Sequence, residues 1–559
     1  MKETIIFLFL IFFIFDPVYC HKCGTDLIRK KPSFVKINSV QKDKRKLSST
    51  YTPIKIKVDL TFIKSQKLMD EAKLKNLENL FSYVTETFSS IISIEHKIIK
   101  DDVSDYIKKE CEVPILGEGI ENWYQTYDIL IFPQISDSLN NSILAAATPC
   151  LFDSNNYRPY AGVVLINKNL TSIKYDYDYY MKNLLFHELT HVLGFHPYYF
   201  EYLKMKSTET IDGKQYTCIN TPKVLEKAKI HFGCDTIKGI PLENQGGAGT
   251  EGSHWETRYM LGDYMIGADY TEIVISDISL ALLEDTGFYK INYYTGGLFR
   301  YGKNQGCSFF QKKCVYNKGE NTLFPNEFCV NDGEAFCSSS HIAKGDCFTT
   351  RYREPLEDLY RYYQDKYKGG IPSADYCPAS FMYESDAHYF YPKNCKYGKL
   401  EYSQYGEIIG DNSLCFESSL LNTDKESICY KMTCDRNNKK MLIYIGDNVV
   451  TCPGSKTVLT NPSGLNGEIN CPDYNMVCTT DIWCNDMFDC INKKSTADSN
   501  TYEYLTNKQT LLKRDQENSQ IDDSNNFIDD EVEENKSNKF NKLNLKKVLY
   551  FLFSFLLFI

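Results

Sequence analysis

The chain has 559 residues, 43% of them hydrophobic, enough apolar material for roughly three or four domain-sized cores, which excludes disorder throughout. The formal net charge of −10 is concentrated: Asp515 to Glu534 holds nine acidic residues and no basic ones, leaving the rest near neutral. No net positive field remains to attract phosphates, so a nucleic-acid partner is not expected. Twenty-one cysteines, fifteen of them between Cys307 and Cys490, suit an oxidising compartment and disulfide staples. A zinc ribbon is the poorer reading, because that stretch contains no Cys-x-x-Cys pair.

In chain order, Lys2 and the eleven-residue apolar run Ile5 to Phe15 read as a secretory signal over 1–20, ending near Cys20. His21 to Lys46 carries nine Lys/Arg against Asp26 and Asp43 and ends in Lys44-Arg45-Lys46, the composition of a prosegment over 21–50. From Tyr51 the pattern turns globular. Ile54, Ile56, Val58 and Leu60 alternate like a strand, and Leu68 to Ile94 has helical apolar spacing. Asp128 to Phe132 and Gly162 to Ile166 predict strands, and Tyr180 to Gly194 predicts a buried helix, giving an α+β N-terminal catalytic subdomain over 51–200.

Helical patterns at Val224 to His231 and Ile273 to Asp285 flank a Gly-rich stretch, Gln245 to Gly252, in a central subdomain over 201–305. A separate Cys-rich C-terminal domain of short elements is expected over 306–495, then an acidic stalk over 496–537. Val548 to Ile559, apolar but for Ser554, would reach only about 18 Å as a helix, short of a hydrocarbon core of about 30 Å. With the polar spacer around Ser537 and Asn538, the tail 538–559 reads as a GPI-anchor signal. Sequons at Asn140, Asn169 and Asn535 suit a secreted chain.

The stretch that carries chemistry is Phe186-His187-Glu188-Leu189-Thr190-His191-Val192-Leu193-Gly194-Phe195-His196. On a helix His187 and His191 project from one face, one turn apart, so both imidazoles can reach a single Zn²⁺. Glu188 lies beside them, where a carboxylate can take a proton from the attacking water and pass it to a leaving amine. A chance His-Glu-x-x-His in this composition is expected about 0.02 times, so the motif outweighs a core helix with two satisfied histidines.

A catalytic zinc needs a third protein ligand. In the compact metzincin pattern a third His stands ten residues after the first, but Pro197 is there and His196 falls one short. Glu201 and Glu209 would be the thermolysin-like choice, yet Gly194 and Pro197 argue that the helix stops. His231 sits on an apolar-spaced segment and reads as a packing residue. His254 follows the flexible Gly246 to Ser253 approach and is the expected third ligand, with Met265 eleven residues on as the floor beneath the imidazoles.

The chain resembles the leishmanolysin-like metallopeptidases, metzincins whose third histidine is displaced by an insertion. The resemblance rests on His187 to Phe195, Phe232 to Asp235, Glu243 to His254, Met265, Leu283 to Tyr289, Gly302 to Cys307 and Asp375 to Pro378. It implies a metzincin-type catalytic domain with an active-site helix and a Met-turn at Met265 rather than Met260, followed by a disulfide-rich domain. It implies one catalytic Zn²⁺ and a secreted or GPI-anchored endopeptidase acting on protein or peptide substrates, joined to the membrane by a lipid. Gly267 stands where some metzincins carry a tyrosine, so no tyrosine is assigned to oxyanion stabilisation. His21-Lys22-Cys23 resembles the start of the family's cysteine switch, making Cys23 a candidate zymogen ligand, although Gly24 and Thr25 depart from the fuller pattern. The rival reading is a catalytically silent adhesion protein on the same fold; an intact Glu188 argues against it, because a binding module has no chemical need for the base.

Overall fold

The computed structural model describes residues 22–23, 33–35 and 51–478, apart from short stretches of which 172–177, 268–272, 294–298 and 382–392 are the longest. The signal segment, the stalk 496–537, the tail 538–559 and the sequons at Asn140 and Asn535 lie outside the described residues. Asn169 is exposed.

Two strand pieces, Lys22–Cys23 (β1) and Ser33–Val35 (β2), precede the globular part. The alternation over Ile54 to Leu60 becomes strand only at Ile56–Val58 (β3), although Ile54 and Leu60 are buried. Asp59 cuts it short, because its carboxylate accepts the backbone N–H groups of Thr61 at 2.9 Å and Gly117 at 2.8 Å and turns the chain into a short helix. The long helix Glu71–Ile91 (α1) starts at Asp70, whose side chain accepts from the Lys73 N–H, and buries Leu77, Leu80, Phe81, Val84, Phe88 and Ile91 on one face.

Ile129–Ser136 (β4), Ile143–Asp153 (β5) and Pro159–Asn167 (β6) complete the main sheet. Its order is β5-β6-β4-β3, with β4 parallel to both β3 and β6 and with β5 antiparallel to β6. Both β1 and β2 lie parallel along the outer edge of β5. The helix Asp178–Leu193 (α2) packs between this sheet and α1, where Phe88 stacks on Phe186 at 4.1 Å. Gly162 on β6 permits the close approach, since a Cβ there would stand 2.3 Å from Val192.

Beyond a short helix, Pro197–Tyr202 (α3), comes a hairpin of Lys206–Ile211 (β7) and Lys214–Ile219 (β8), turning at Asp212-Gly213 with both residues at positive φ. That Asp-Gly turn is a legible hairpin signal which the apolar-pattern reading passed over, because the strands are largely polar. The two later helices are Pro222–Phe232 (α4), closed by left-handed Gly233, and Asp277–Asp285 (α5). α5 begins four residues later than the apolar spacing suggests, because Ser276 caps it and Val274 bridges to Asp263.

The Cys-rich part contains more than short elements. Ser413–Ser418 (β9), Glu426–Asp435 (β10), Lys440–Ile445 (β11), Asn448–Cys452 (β12), Thr457–Thr460 (β13) and Glu468–Cys471 (β14) form one sheet in the order β12-β11-β10-β9-β14-β13. Eight disulfides are made among the described residues, including Cys111–Cys150 beside the main sheet, Cys234–Cys307 and Cys314–Cys377. The buried apolar cluster is continuous from Ile54 to Cys478. Among the described residues no helix is long and apolar enough to cross a membrane.

Candidate metal centre

α2 carries His187 and His191 on its buried face, and His254 reaches them from a loop 67 residues beyond His187. Their Nε2 atoms converge: His191 lies 3.0 Å and His254 3.3 Å from His187. Each Nδ1 points away and meets a backbone carbonyl, that of Tyr264 at 2.6 Å for His187, Phe195 at 2.6 Å for His191 and Thr250 at 3.0 Å for His254. A carbonyl only accepts, so each Nδ1 carries the proton and each Nε2 presents a bare lone pair. Two lone pairs facing each other cannot hydrogen-bond, whatever their distance.

Burial holds all three rings neutral. It pushes His187 down to about 4 and His254 down to about 3, and it takes His191 well below the ordinary imidazole range. Three inward lone pairs in a buried space repel one another and fit a cation. Ligands at about 2.0–2.1 Å from a tetrahedral Zn²⁺ stand about 3.3 Å apart, close to the spacings found. Among the described residues this is the only group of three or more His, Cys, Asp or Glu side chains placed to hold a metal. Glu188, fully buried, is the next residue after His187 on the same helix.

The leishmanolysin family model matches residues 107–484, a span that contains the whole cluster. The chain belongs to the leishmanolysin family. Members of the leishmanolysin family are zinc metalloproteases. A leishmanolysin homolog from Crithidia fasciculata is 30% identical over 362 residues, covering 61% of this chain and 53% of the relative. Leishmanolysin from Leishmania major is 27% identical over 358 residues, covering 61% and 58%. A leishmanolysin-like peptidase from Caenorhabditis elegans is 28% identical over 379 residues, covering 54% and 55%. The chain thus spans about half the length of the curated leishmanolysin relatives it matches.

The third histidine of this leishmanolysin-family chain is placed by backbone pairing. His254 C=O accepts from Glu243 N–H at 2.9 Å, and Trp255 bridges Leu242 on one side and Ile266 on the other. Through Ile266 the loop meets the turn that carries Met265. Trp255 N–H donates to Met265 C=O at 3.0 Å, and Met265 N–H donates to the Asp263 carboxylate at 2.7 Å. Asp263 also receives the Ser279 hydroxyl at 2.8 Å, and that oxygen accepts the Trp255 indole N–H at 2.7 Å. Burial pushes the Asp263 carboxyl up to about 6, against the donors from Ser276, Met265 and Ser279 that favour its charged form. No sequence pattern marks Asp263, Ser279 or the three carbonyl acceptors: Tyr264 meets its histidine across 77 residues, and Phe195 and Thr250, each four residues from theirs, accept through a backbone carbonyl that every residue type carries.

The remaining candidates do not join the cluster. His196 is buried, but its Nδ1 accepts the Tyr198 N–H at 3.2 Å, leaving the proton on Nε2, which faces Thr148 Oγ1 at 3.4 Å. This is the opposite tautomer to the three converging rings. Glu201 is exposed and paired with Lys206 at 2.8 Å, Glu209 lies on β7, and His231 bonds the Tyr301 carbonyl at 2.9 Å while stacking on Phe299. Cys23 lies opposite Ala145 on the edge of β5. Cys218 is a free cysteine, buried on β8.

Gly267 acquires a physical reason. A Cβ there would stand 2.1 Å from Thr250 Cγ2 and 3.3 Å from the His254 ring. Gly267→Ala should therefore displace His254 and lower affinity for a metal ion at the three histidines by at least tenfold, read by metal content after dialysis against a graded chelator. Thr250→Ser in the same chain removes the offending methyl and should restore much of the loss; equal affinity in wild type and Gly267→Ala would show that the loop absorbs the methyl without moving the ring.

Proposed function

We propose that this protein is a zinc endopeptidase, with His187, His191 and His254 as ligands of one Zn²⁺, Glu188 as general base and Met265 at the Met-turn. The observation that carries the reading is the convergence of three neutral imidazoles, each with its proton committed to a carbonyl, beside a buried glutamate. When bound, zinc supplies Lewis acidity that acidifies a water and polarises the scissile carbonyl. Glu188, held by α2 next to His187, takes the proton released by the attacking water and delivers it to the leaving amine. The Tyr264 carbonyl orients His187 and keeps its Nδ1 protonated throughout. A silent adhesion protein on the same fold would leave Glu188 without a chemical task.

Eight disulfides and the leishmanolysin relatives support a secreted or cell-surface location, and the apolar tail supports a GPI anchor. Cys23 is read as the switch that keeps the precursor inactive, its backbone held on the edge of β5.

Glu188→Ala should keep one zinc per chain and lose at least a hundredfold in casein hydrolysis, whereas His254→Ala should lose both metal and activity and His196→Ala should keep the metal. Substantial turnover by Glu188→Ala would move the base elsewhere. Cys23→Ser should make the uncleaved precursor active; a variant as silent as wild type would remove the switch. A phosphatidylinositol-specific phospholipase should release the protein from cells, and retention after treatment would count against the lipid anchor.

A further inference from the structure

The outer side of β5 carries aromatic side chains that the metal chemistry does not use. The row starts at His196, whose ring lies 4.5 Å from Tyr198, and continues from Tyr198 to Tyr202 at 6.2 Å. Tyr202 then stacks face to face on Tyr157 at 5.1 Å and 11°. Phe152 of β5 forms the floor, edge-on to Tyr199 at 5.2 Å.

One ring is seated in this cradle. Phe34 of β2 lies 5.7 Å from Phe152, 5.8 Å from Tyr157 and 5.3 Å from Tyr202, yet it is 42% exposed. Its backbone pairs with β5 directly opposite Phe152. Three aromatic neighbours around a half-exposed phenylalanine describe a subsite filled from outside, not a core position.

Tyr157 adds an independent sign. It sits at φ 64, a left-handed conformation that bulky side chains rarely adopt. The turn enforces it: Tyr157 N–H donates to Asp153 C=O at 2.8 Å, and Asn155 N–H to the Asp153 carboxylate at 2.9 Å. The product of that strain is a ring laid over Tyr202 and against Phe34.

The row also has a fixed distance from the chemistry. Thr148 contacts His196, five residues past His191 in the chain, and Phe152 is four residues further along the same strand, about 13 Å at about 3.3 Å per residue. An extended peptide paired with the edge of β5 places every second side chain on one face, so one of them meets the cradle about four residues from the scissile bond.

We propose that Phe152, Tyr157 and Tyr202 form a specificity subsite for an aromatic side chain of an extended peptide substrate, about four residues from the bond cut, and that Phe34 fills this subsite in the precursor. The proposal rests on the endopeptidase reading above. It makes β5 a dual-purpose edge: its backbone takes any extended chain, and the cradle selects among them. One stacked contact, with Phe152, and two face-to-edge contacts, with Tyr157 and Tyr202, discriminate an aromatic from a methyl side chain by size and by ring geometry.

The test uses the full chain, folded and then nicked by trypsin at Lys44-Arg45-Lys46, with fluorogenic peptides carrying Phe or Ala four residues from the scissile bond on either side. On one side, kcat/KM for the Phe peptide should exceed that for the Ala peptide about tenfold. Tyr202→Ala should bring this ratio to about one, and Tyr202→Phe should preserve it, because the ring and not the hydroxyl makes the subsite. A synthetic peptide containing Ser33-Phe34-Val35 should compete with the Phe substrate about ten times better than its Phe34→Ala version. A ratio near one on both sides, or equal competition by the two synthetic peptides, overturns the subsite while leaving the peptidase intact. If no peptide is cut by any form, the endopeptidase reading fails instead, and fluorescence anisotropy of the labelled Phe and Ala peptides on Glu188→Ala still decides the subsite: tighter binding of Phe upholds it and equal binding overturns it.

Discussion

The candidate metal centre depends on three outward hydrogen bonds, from the Nδ1 atoms of His187, His191 and His254 to the carbonyls of Tyr264, Phe195 and Thr250. They commit each proton to the far side of its ring and leave three lone pairs facing one another in a buried space. Burial disfavours the alternative of protonating the rings, so a cation is the species that relieves the repulsion. The acceptors come from three separate segments, the end of α2, the Gly-rich loop and the Met265 turn. Each must be in place before the rings are oriented, which couples the site to the surrounding fold.

That coupling is carried by the turn over Asp263 to Gly267. Asp263 gathers the Met265 N–H and the Ser279 hydroxyl, Ser279 holds the Trp255 indole, and Trp255 adjoins the third histidine. A carboxylate in a buried position is costly unless donors surround it, so this cluster is stiff once satisfied and disruptive when one member is removed. α2 itself is positioned by ring stacking on α1 and by its contact with Gly162 of β6, so the two motif histidines inherit their place from the sheet.

Support reaches His254 from the C-terminal part as well. Lys214 on β8 pairs with Asp375 at 3.1 Å and donates to the Tyr362 hydroxyl at 2.8 Å, with both charged groups buried. The segment that pairs with β8, Ile240–Pro241, leads into the His254 loop, and Gln245 in that loop donates to the Tyr360 hydroxyl at 3.1 Å. A buried ion pair contributes little net stability, yet losing one partner costs about 3–5 kcal/mol, so such a pair acts mainly on register. Arg258, fully buried and bonded to the Lys312 carbonyl at 2.6 Å, ties the same loop to the Cys314–Cys377 region.

By itself the sequence determined the parts whose signal is local. The i, i+4 histidines with Glu188 between them, the helices at Leu68 to Ile94 and Tyr180 to Gly194, and the oxidising compartment all follow from spacing and composition within a short window. His254, which the structure brings to the two motif histidines, was legible because a Gly-rich approach precedes it, although nothing local says how the chain returns to α2. Tertiary structure alone decided the rest. The tautomers depend on how the backbone turns the carbonyls of Phe195, Thr250 and the remote Tyr264, the need for Gly267 on the Thr250 methyl and the His254 ring, and the disulfide pairing on which elements meet. The six-stranded C-terminal sheet was missed because its alternating apolar positions are masked by cysteines and polar edge residues, and its pairing is a long-range property. Periodicity reports which face of an element is apolar; only packing reports what that face, and each polar atom beside it, will meet.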